Sequence, residues 1–149
     1  MQRALMKQAP LVWLALSCLL TGIAGADDSL YIRIGGLPML QKITGRLTDI
    51  ASTDAVTKRS FKQTNLDRIK EKLAEQFCVL AGGPCRYSGD DMALVHQGLN
   101  ISEREFYGLV EQLRDILDEE GIDSREKNEL LALLAPMKPQ IVHPVIATP

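Results

Sequence analysis

Apolar residues recur every three or four positions along most of the chain from Asp27 onward, which is the spacing of one face of an α-helix. Three runs are long enough to define helices by themselves. They consist of Leu40, Ile43, Leu47 and Ile50, of Leu66, Ile69, Leu73, Phe77 and Leu80, and of Phe106, Leu109, Val110, Leu113, Ile116 and Leu117. No segment alternates as a half-buried strand does, and no internal repeat is present. The pattern therefore predicts an all-α domain.

Glycine and proline mark the ends of the first two predicted helices. A short helix around 29–34 ends at Gly35 and Gly36, where glycine allows a sharp reversal of the chain. Pro38 suits the first turn of the second helix, which ends near 52–54.

The third predicted helix begins near Asn65, a good N-cap, and stops at Gly82-Gly83-Pro84. The segment 55–63 before it is weakly patterned. A helical piece over 92–98 follows the third helix and is too short to be stable without tertiary contacts.

The clearest helix start is a capping box formed by Ser102 and Glu105. This helix ends at Gly121. A last helix, capped by Asp123 or Ser124, runs towards the proline-bearing end of the chain.

The first 26 residues have the composition of a signal peptide. Arg3 and Lys7 precede an apolar stretch over 9–23, and small residues at 24–26 provide a cleavage site. The alternatives are a permanent membrane anchor, for which the apolar run is short, and lipidation at Cys18, which a poor preceding sequence disfavours.

We therefore predict a signal peptide over 1–26, one domain over 27–143 and a flexible tail over 144–149. The exported chain is expected in the periplasm or outside the cell, with membrane contact only during export. It keeps 15 basic and 19 acidic residues, a net charge of about −4, so no field attracts it to nucleic acid.

Two cysteines remain after cleavage, Cys78 and Cys85, in a compartment that permits disulfides. Pairing them closes a short loop and stabilises the fold by about 2–3 kcal/mol on the chain-entropy model. The alternative is two separate thiols, with Cys78 buried on a helix.

No nucleophile triad, zinc spacing or phosphate loop is present. Of the two histidines, His143 lies in the proline-rich end and His96 lies on the short helix between two long apolar stripes. A lone histidine is usually a core or boundary residue that hydrogen-bonds a carbonyl, so His96 becomes a candidate metal ligand only through the residues around it.

Short motifs are distributed from residue 30 to residue 141, about three quarters of the chain. They are Leu30-Tyr31 with Gly35-Gly36, the 61–65 stretch, Gly82-Gly83-Pro84 with Tyr87 and Gly89, Met92 with His96-Gln97-Gly98, Ile101, and Leu134-Ala135-Pro136. Together they resemble the group I truncated haemoglobins.

The resemblance implies a two-over-two helical sandwich around haem b, with His96 as the proximal iron ligand. It also implies that Phe61 stacks on the porphyrin, that Thr64 approaches a propionate and that Phe77 lines the apolar route to the iron. For Phe61 and Phe77, the alternative is ordinary core packing.

The sequence departs from the family on the side where a gas binds. Thr48 stands where the family has a distal tyrosine, Leu73 where it has a distal glutamine, and Ile69 at the other distal position. Losing a hydrogen bond to bound dioxygen speeds its release roughly ten- to a hundredfold, so weak oxygen binding and normal carbon monoxide and nitric oxide binding are expected. The Thr48 hydroxyl either supplies part of that bond or bonds a carbonyl of its own helix.

The sequence thus predicts a haem-binding globin of the cell envelope that binds diatomic gases. Gas sensing and nitric oxide dioxygenase-like turnover, which needs an unidentified reductase, both stay open. So does the sixth iron position, which is empty, bound to water or filled by a side chain such as Lys70 or Lys72. The contrasting hypothesis is a haem-free helical interaction module that keeps the globin fold.

Overall fold

The computed structural model describes residues 29–143, so the predicted signal peptide and the tail over 144–149 lie outside the described residues. Within that range the chain forms seven α-helices. They are α1 (Leu30–Ile34), α2 (Gly36–Thr53), α3 (Leu66–Leu80), α4 (Met92–His96), α5 (Glu103–Glu119), α6 (Ser124–Leu134) and α7 (Lys138–Ile141). The only β-type pairing in this part of the chain is an isolated bridge between Ile101 and Val142. The all-α prediction is confirmed.

A single glycine separates α1 from α2. Gly35 has a φ of 104°, and its backbone N–H donates to the carbonyl of Ile32 while it also stands at the N-cap of α2. This left-handed conformation is easy for glycine and strained for other residues. The sharp turn predicted at this position therefore folds α1 directly against the start of α2.

Helix α2 packs against both α3 and α5 and supplies much of the core. Leu40, Ile43 and Leu47 are buried as predicted, whereas Ile50 is 38% exposed. Eleven residues make about three full turns, so Ala51 and not Ile50 falls on the same face as Leu40. The predicted buried stripe is therefore wrong at its last position.

Helices α3 and α5 begin where the capping signals predict. The Asn65 side chain accepts a hydrogen bond from the backbone N–H of Arg68 at the start of α3. Ser102 and Glu105 form a complete capping box at the start of α5. A 3-10 helix, Lys58–Phe61, fills part of the weakly patterned segment before α3.

The C-terminal region continues beyond the predicted last helix. After α6 the chain passes through a 3-10 turn, Ala135–Met137, and then through α7, which packs against α4. Pro136 and Pro139 lack the N–H that one continuous helix needs, and this explains the break. Across residues 29–143, no helix has both the length and the apolar character needed to cross a membrane.

Candidate functional site

A cavity of about 360 Å³ lies between α3 and α4 and is closed by the start of α5 and by α7. Its size falls within the range of small-molecule sites. Most of its wall is apolar. The apolar lining residues are Phe61, Ile69, Leu73, Met92, Val95, Leu99, Ile101, Phe106, Leu109 and Ile141.

His96 is half-buried on the α4 wall of this cavity. Its Nδ1 lies 2.8 Å from the carbonyl oxygen of Met92, one helical turn earlier. A carbonyl only accepts, so Nδ1 must carry the proton and donate. In the neutral ring, Nε2 then keeps its lone pair, which is the form of imidazole that binds a metal.

Neighbouring groups hold the five-residue helix α4 at both ends. The Asp91 side chain accepts from the backbone N–H of Ala93 at 2.9 Å and caps its start. Beyond its end, the Arg59 guanidinium donates to the carbonyls of Leu99 and Asn100 at 2.9 and 3.1 Å. These contacts compensate for a length at which a free helix is unstable.

The same guanidinium is paired with Glu105. Hydrogen bonds from Arg59, and then from the backbone N–H and hydroxyl of Ser102, lower the pKa of the Glu105 carboxyl from 4.5 to about 2. One carboxylate therefore joins the 3-10 helix, the α5 N-terminus and, through Arg59, the segment after α4.

The loop that leads into α4 is attached to α3. A disulfide joins Cys78 on α3 to Cys85 at the start of the loop. Further along, the backbone N–H of Ser88 donates to Glu75 at 2.9 Å, and Lys72 Nζ lies 2.6 Å from the Ser88 hydroxyl oxygen. The loop also contributes Tyr87, Gly89 and Asp90 to the cavity wall.

Five of the residues predicted to contact haem or a bound gas line this one cavity. They are Phe61, Thr64, Ile69, Leu73 and His96. The Thr64 hydroxyl is exposed and lies 3.3 Å from the carbonyl oxygen of Lys62.

Thr48 and Phe77 are not among the residues that line the cavity. Thr48 is fully buried, and its hydroxyl donates to the carbonyl of Thr44 at 2.8 Å, which is the second of its two expected roles. Phe77 is 3% exposed and belongs to the hydrophobic core. One helical step of about 100° separates Phe77 from the cavity-facing Gln76. Its burial agrees with the core-packing alternative, and its place on the route to the iron stays a prediction.

The two lysines considered for the sixth iron position have carboxylate partners. Lys70 pairs with Asp49. Lys72 lines the cavity, but hydrogen bonds from its ammonium to Glu71 and Glu75 raise its pKa and keep it charged. A protonated amine has no lone pair for a metal.

Gln76 is a cavity residue that the sequence pattern did not reveal. It lies three residues after Leu73 and seven after Ile69, so all three share one face of α3. The predicted stripe on α3 was drawn through the largest apolar residues, so it included Leu73 and Phe77 and omitted the polar Gln76. A polar residue one turn along an otherwise apolar face was the available signal.

The donor set limits what kind of metal the cavity suits. Within residues 29–143, no three His, Cys, Asp or Glu side chains lie close enough together to hold an ion. A single imidazole in an apolar slot suits a metal that brings its own equatorial ligands, as iron does in a porphyrin. The residues present therefore fit haem better than a bare ion.

Comparison with known proteins gives a consistent result. Residues 29–143 match the family model described as bacterial-like globin. The group 1 truncated haemoglobin of Mycolicibacterium paratuberculosis is 34% identical over 76% of this chain and 83% of its own length. The protein of the same description from Tetrahymena pyriformis is 27% identical over 68% of this chain and 84% of its own length.

Solved structures support the same architecture. The truncated haemoglobin of Tetrahymena pyriformis in its Fe(III) form matches with a TM-score of 0.73 at 23% identity, covering 77% of this chain and 98% of its own. The 2/2 haemoglobin of Synechococcus, solved in the cyanomet state with covalently attached haem, matches with a TM-score of 0.71 at 19% identity, covering 76% and 98%. The predicted two-over-two helical fold is thereby confirmed.

Proposed function

The chain belongs to the bacterial-like globins, with group 1 truncated haemoglobins among its relatives, and from that premise we propose that it binds haem b through His96 and binds diatomic gases at the iron. The observation that carries the proposal is the hydrogen bond from His96 Nδ1 to the Met92 carbonyl. It fixes the ring orientation and leaves Nε2 free to bind iron in the apolar cavity. Haem, when bound, would supply the iron at which a diatomic gas binds.

The remaining walls suit the other parts of haem. Phe61, Leu73 and Val95 offer aromatic and aliphatic surface to a flat, apolar ring. Thr64 and Arg68 lie at the same cavity, and both are exposed. A guanidinium and a hydroxyl are suitable partners for the two propionate carboxylates. This arrangement supports an apolar ring inside the cavity with its charged edge towards solvent.

Gases are the expected ligands because the predicted distal residues that line the cavity are apolar. Ile69 and Leu73 present hydrocarbon there, and Thr48 is turned away. Carbon monoxide and nitric oxide need no hydrogen bond to bind, so their binding is expected to be normal. Oxygen, which takes up negative charge, depends on a donor that none of these three residues supplies.

Haem titration of the purified chain tests the proposal. We expect one equivalent of haem to produce a Soret band, and His96→Ala to abolish tight binding or change the coordination spectrum. His143→Ala is the matched control, because that histidine is exposed and does not line the cavity. A chain that stays colourless with excess haemin would instead support the haem-free interaction module. Equal haem binding without His96 would contradict the assignment of His96 as the iron ligand.

We also propose that the protein acts in the periplasm or outside the cell. The basic and then apolar composition of residues 1–26 supports export, and the Cys78–Cys85 disulfide is compatible with an oxidising compartment. Cell fractionation with mass measurement of the protein is the test. We expect a periplasmic or secreted species that begins at Asp27, and an intact N-terminus in the cytoplasm would contradict export.

A further inference from the structure

Gln76 is a buried amide whose protein contacts are all weak. The residue is 8% exposed and lines the cavity. Its Nε2 lies 3.4 Å from the sulfur atoms of Met92 and Met137, and its Oε1 has no hydrogen-bond partner among residues 29–143. Thioether sulfur is a poor acceptor, so both contacts are weak ones for an amide N–H.

The other buried polar residue on the cavity wall, Thr57, has hydrogen-bond partners within the protein. Thr57 donates its hydroxyl to the carbonyl of Ala51 at 2.8 Å and lies 3.4 Å from the amide nitrogen of Gln112. Gln76 therefore differs from Thr57 in having no oxygen or nitrogen partner. Its Oε1 is not an enclosed atom, so it stays open to the cavity, where a ligand is able to reach the amide.

Gln76 lies on the α3 wall of the cavity, at the point where its amide contacts Met92 of α4. Gln76 shares a face of α3 with Ile69 and Leu73, whereas His96 lies on α4. A gas bound opposite His96 meets this α3 wall. On that face Gln76 offers a neutral hydrogen-bond donor, and its two apolar neighbours offer none.

We propose that Gln76 is the residue that hydrogen-bonds a diatomic ligand in this cavity and so sets the discrimination between oxygen and carbon monoxide. The inference rests on the proposed function, because it needs bound haem. The amide exchanges two weak sulfur contacts for an acceptor with partial negative charge, which is the stronger bond. Oxygen gains from this exchange and carbon monoxide gains little. The expectation of weak oxygen binding was based on Thr48, Ile69 and Leu73 alone. A donor at Gln76 makes oxygen binding stronger than those three residues predict.

The test compares wild-type holoprotein with Gln76→Leu and Gln76→Met, two variants that replace the amide with an apolar side chain of similar size. We expect oxygen release to become roughly ten- to a hundredfold faster, with carbon monoxide release changed less than threefold. We also expect the C–O stretching frequency of the carbonyl adduct to rise, because the positive end of the amide no longer faces the ligand. Thr48→Val is the control and should change neither quantity, since its hydroxyl is bonded to Thr44.

The iron–histidine stretching band distinguishes a direct bond between Gln76 and the ligand from a merely structural role of Gln76. Gln76 also contacts Met92, whose carbonyl orients His96, so a structural role would shift the iron–histidine stretching band of the unliganded ferrous protein. We expect that band to be unchanged in both variants. A shifted iron–histidine band with an unchanged C–O band and unchanged oxygen release would overturn the inference. Failure of the proposed function is distinguishable, because wild type would then show no His96-dependent Soret band at all.

Discussion

At the residue scale, Glu105 is the carboxylate with the largest resolved change in pKa, and it makes stability depend on pH. Its pKa is lowered from 4.5 to about 2, first by the Arg59 guanidinium and then by Ser102. A group whose pKa is lower in the folded state stabilises the fold above its unfolded pKa. That contribution is lost as the pH falls through 4.5 towards 2.

We therefore expect Glu105→Gln to lower the free energy of unfolding at pH 7 by about 1–2 kcal/mol, allowing for solvent screening of the half-exposed Arg59. The difference from wild type should shrink below pH 4.5 and nearly vanish near pH 2. Denaturant unfolding at several pH values is the measurement. Glu111→Gln is the control, since that exposed carboxylate lies 3.9 Å from Arg114 and is expected to change little. A difference that stays constant from pH 7 to pH 3 would contradict the assignment.

Single residues also mark the limit of what the sequence predicts. His96, Phe61 and Leu73 were identified as cavity residues because their types and order match a family pattern. Gln76 was not identified, because adjacent helical positions point about 100° apart and periodicity assigns faces by the size of side chains, which drew attention to Phe77. Which of two neighbours faces a cavity is decided by the packing of α3 against other helices, and a single helix does not specify that.

At the scale of elements, the disulfide attaches the loop before α4 to α3. Replacing both Cys78 and Cys85 by serine is expected to lower the free energy of unfolding by about 2–3 kcal/mol, because the unfolded chain loses a constraint on a short loop. Denaturant unfolding monitored by circular dichroism measures this, and the helical signal at zero denaturant should be retained. Wild type treated with a reductant serves as the comparison and should match the variant. Unchanged stability of wild type on reduction would show that the link contributes nothing.

A second contact joins α1 to the end of α3. A Cβ atom at Gly83 would lie 2.5 Å from the Tyr31 ring and 2.6 Å from the Cys78 sulfur, too close for either to tolerate without a shift. We expect Gly83→Ala to destabilise the protein by about 1–3 kcal/mol, as overpacking does.

Gly45→Ala is the matched control in thermal or denaturant unfolding. No atom lies within 4 Å of a Cβ built at Gly45, which is inside α2, so alanine there should stabilise the fold by about 0.5–1 kcal/mol. Equal effects of the two substitutions would refute the close approach at Gly83.

Element boundaries were more predictable than element faces. The N-caps Asn65 and Ser102 and the turn at Gly35 each act within a few residues, so local chemistry specifies them. The sequence did not decide whether Cys78 and Cys85 pair, because a pairing depends on how α3 and the following loop meet in space. The separate helix α7 also depends on a distant contact, since it packs on α4.

At the scale of the whole molecule, binding at the cavity should stabilise the entire fold. The cavity joins α3, α4, α5 and α7, and a ligand bound only by the folded chain shifts the unfolding equilibrium of all of them. At a free haem concentration 100 times the dissociation constant, the stabilisation is about 2.7 kcal/mol. Calorimetry should show a higher melting temperature for wild type with haem and a smaller rise for His96→Ala. Equal rises would indicate binding that does not use this imidazole.

The central claim is a bond between His96 Nε2 and haem iron, and resonance Raman spectroscopy of the unliganded ferrous protein observes that bond directly. We predict an iron–histidine stretching band that shifts on iron isotope substitution, persists in His143→Ala and disappears in His96→Ala. A band that survives removal of His96, or its absence from wild-type protein loaded with haem, would contradict the account.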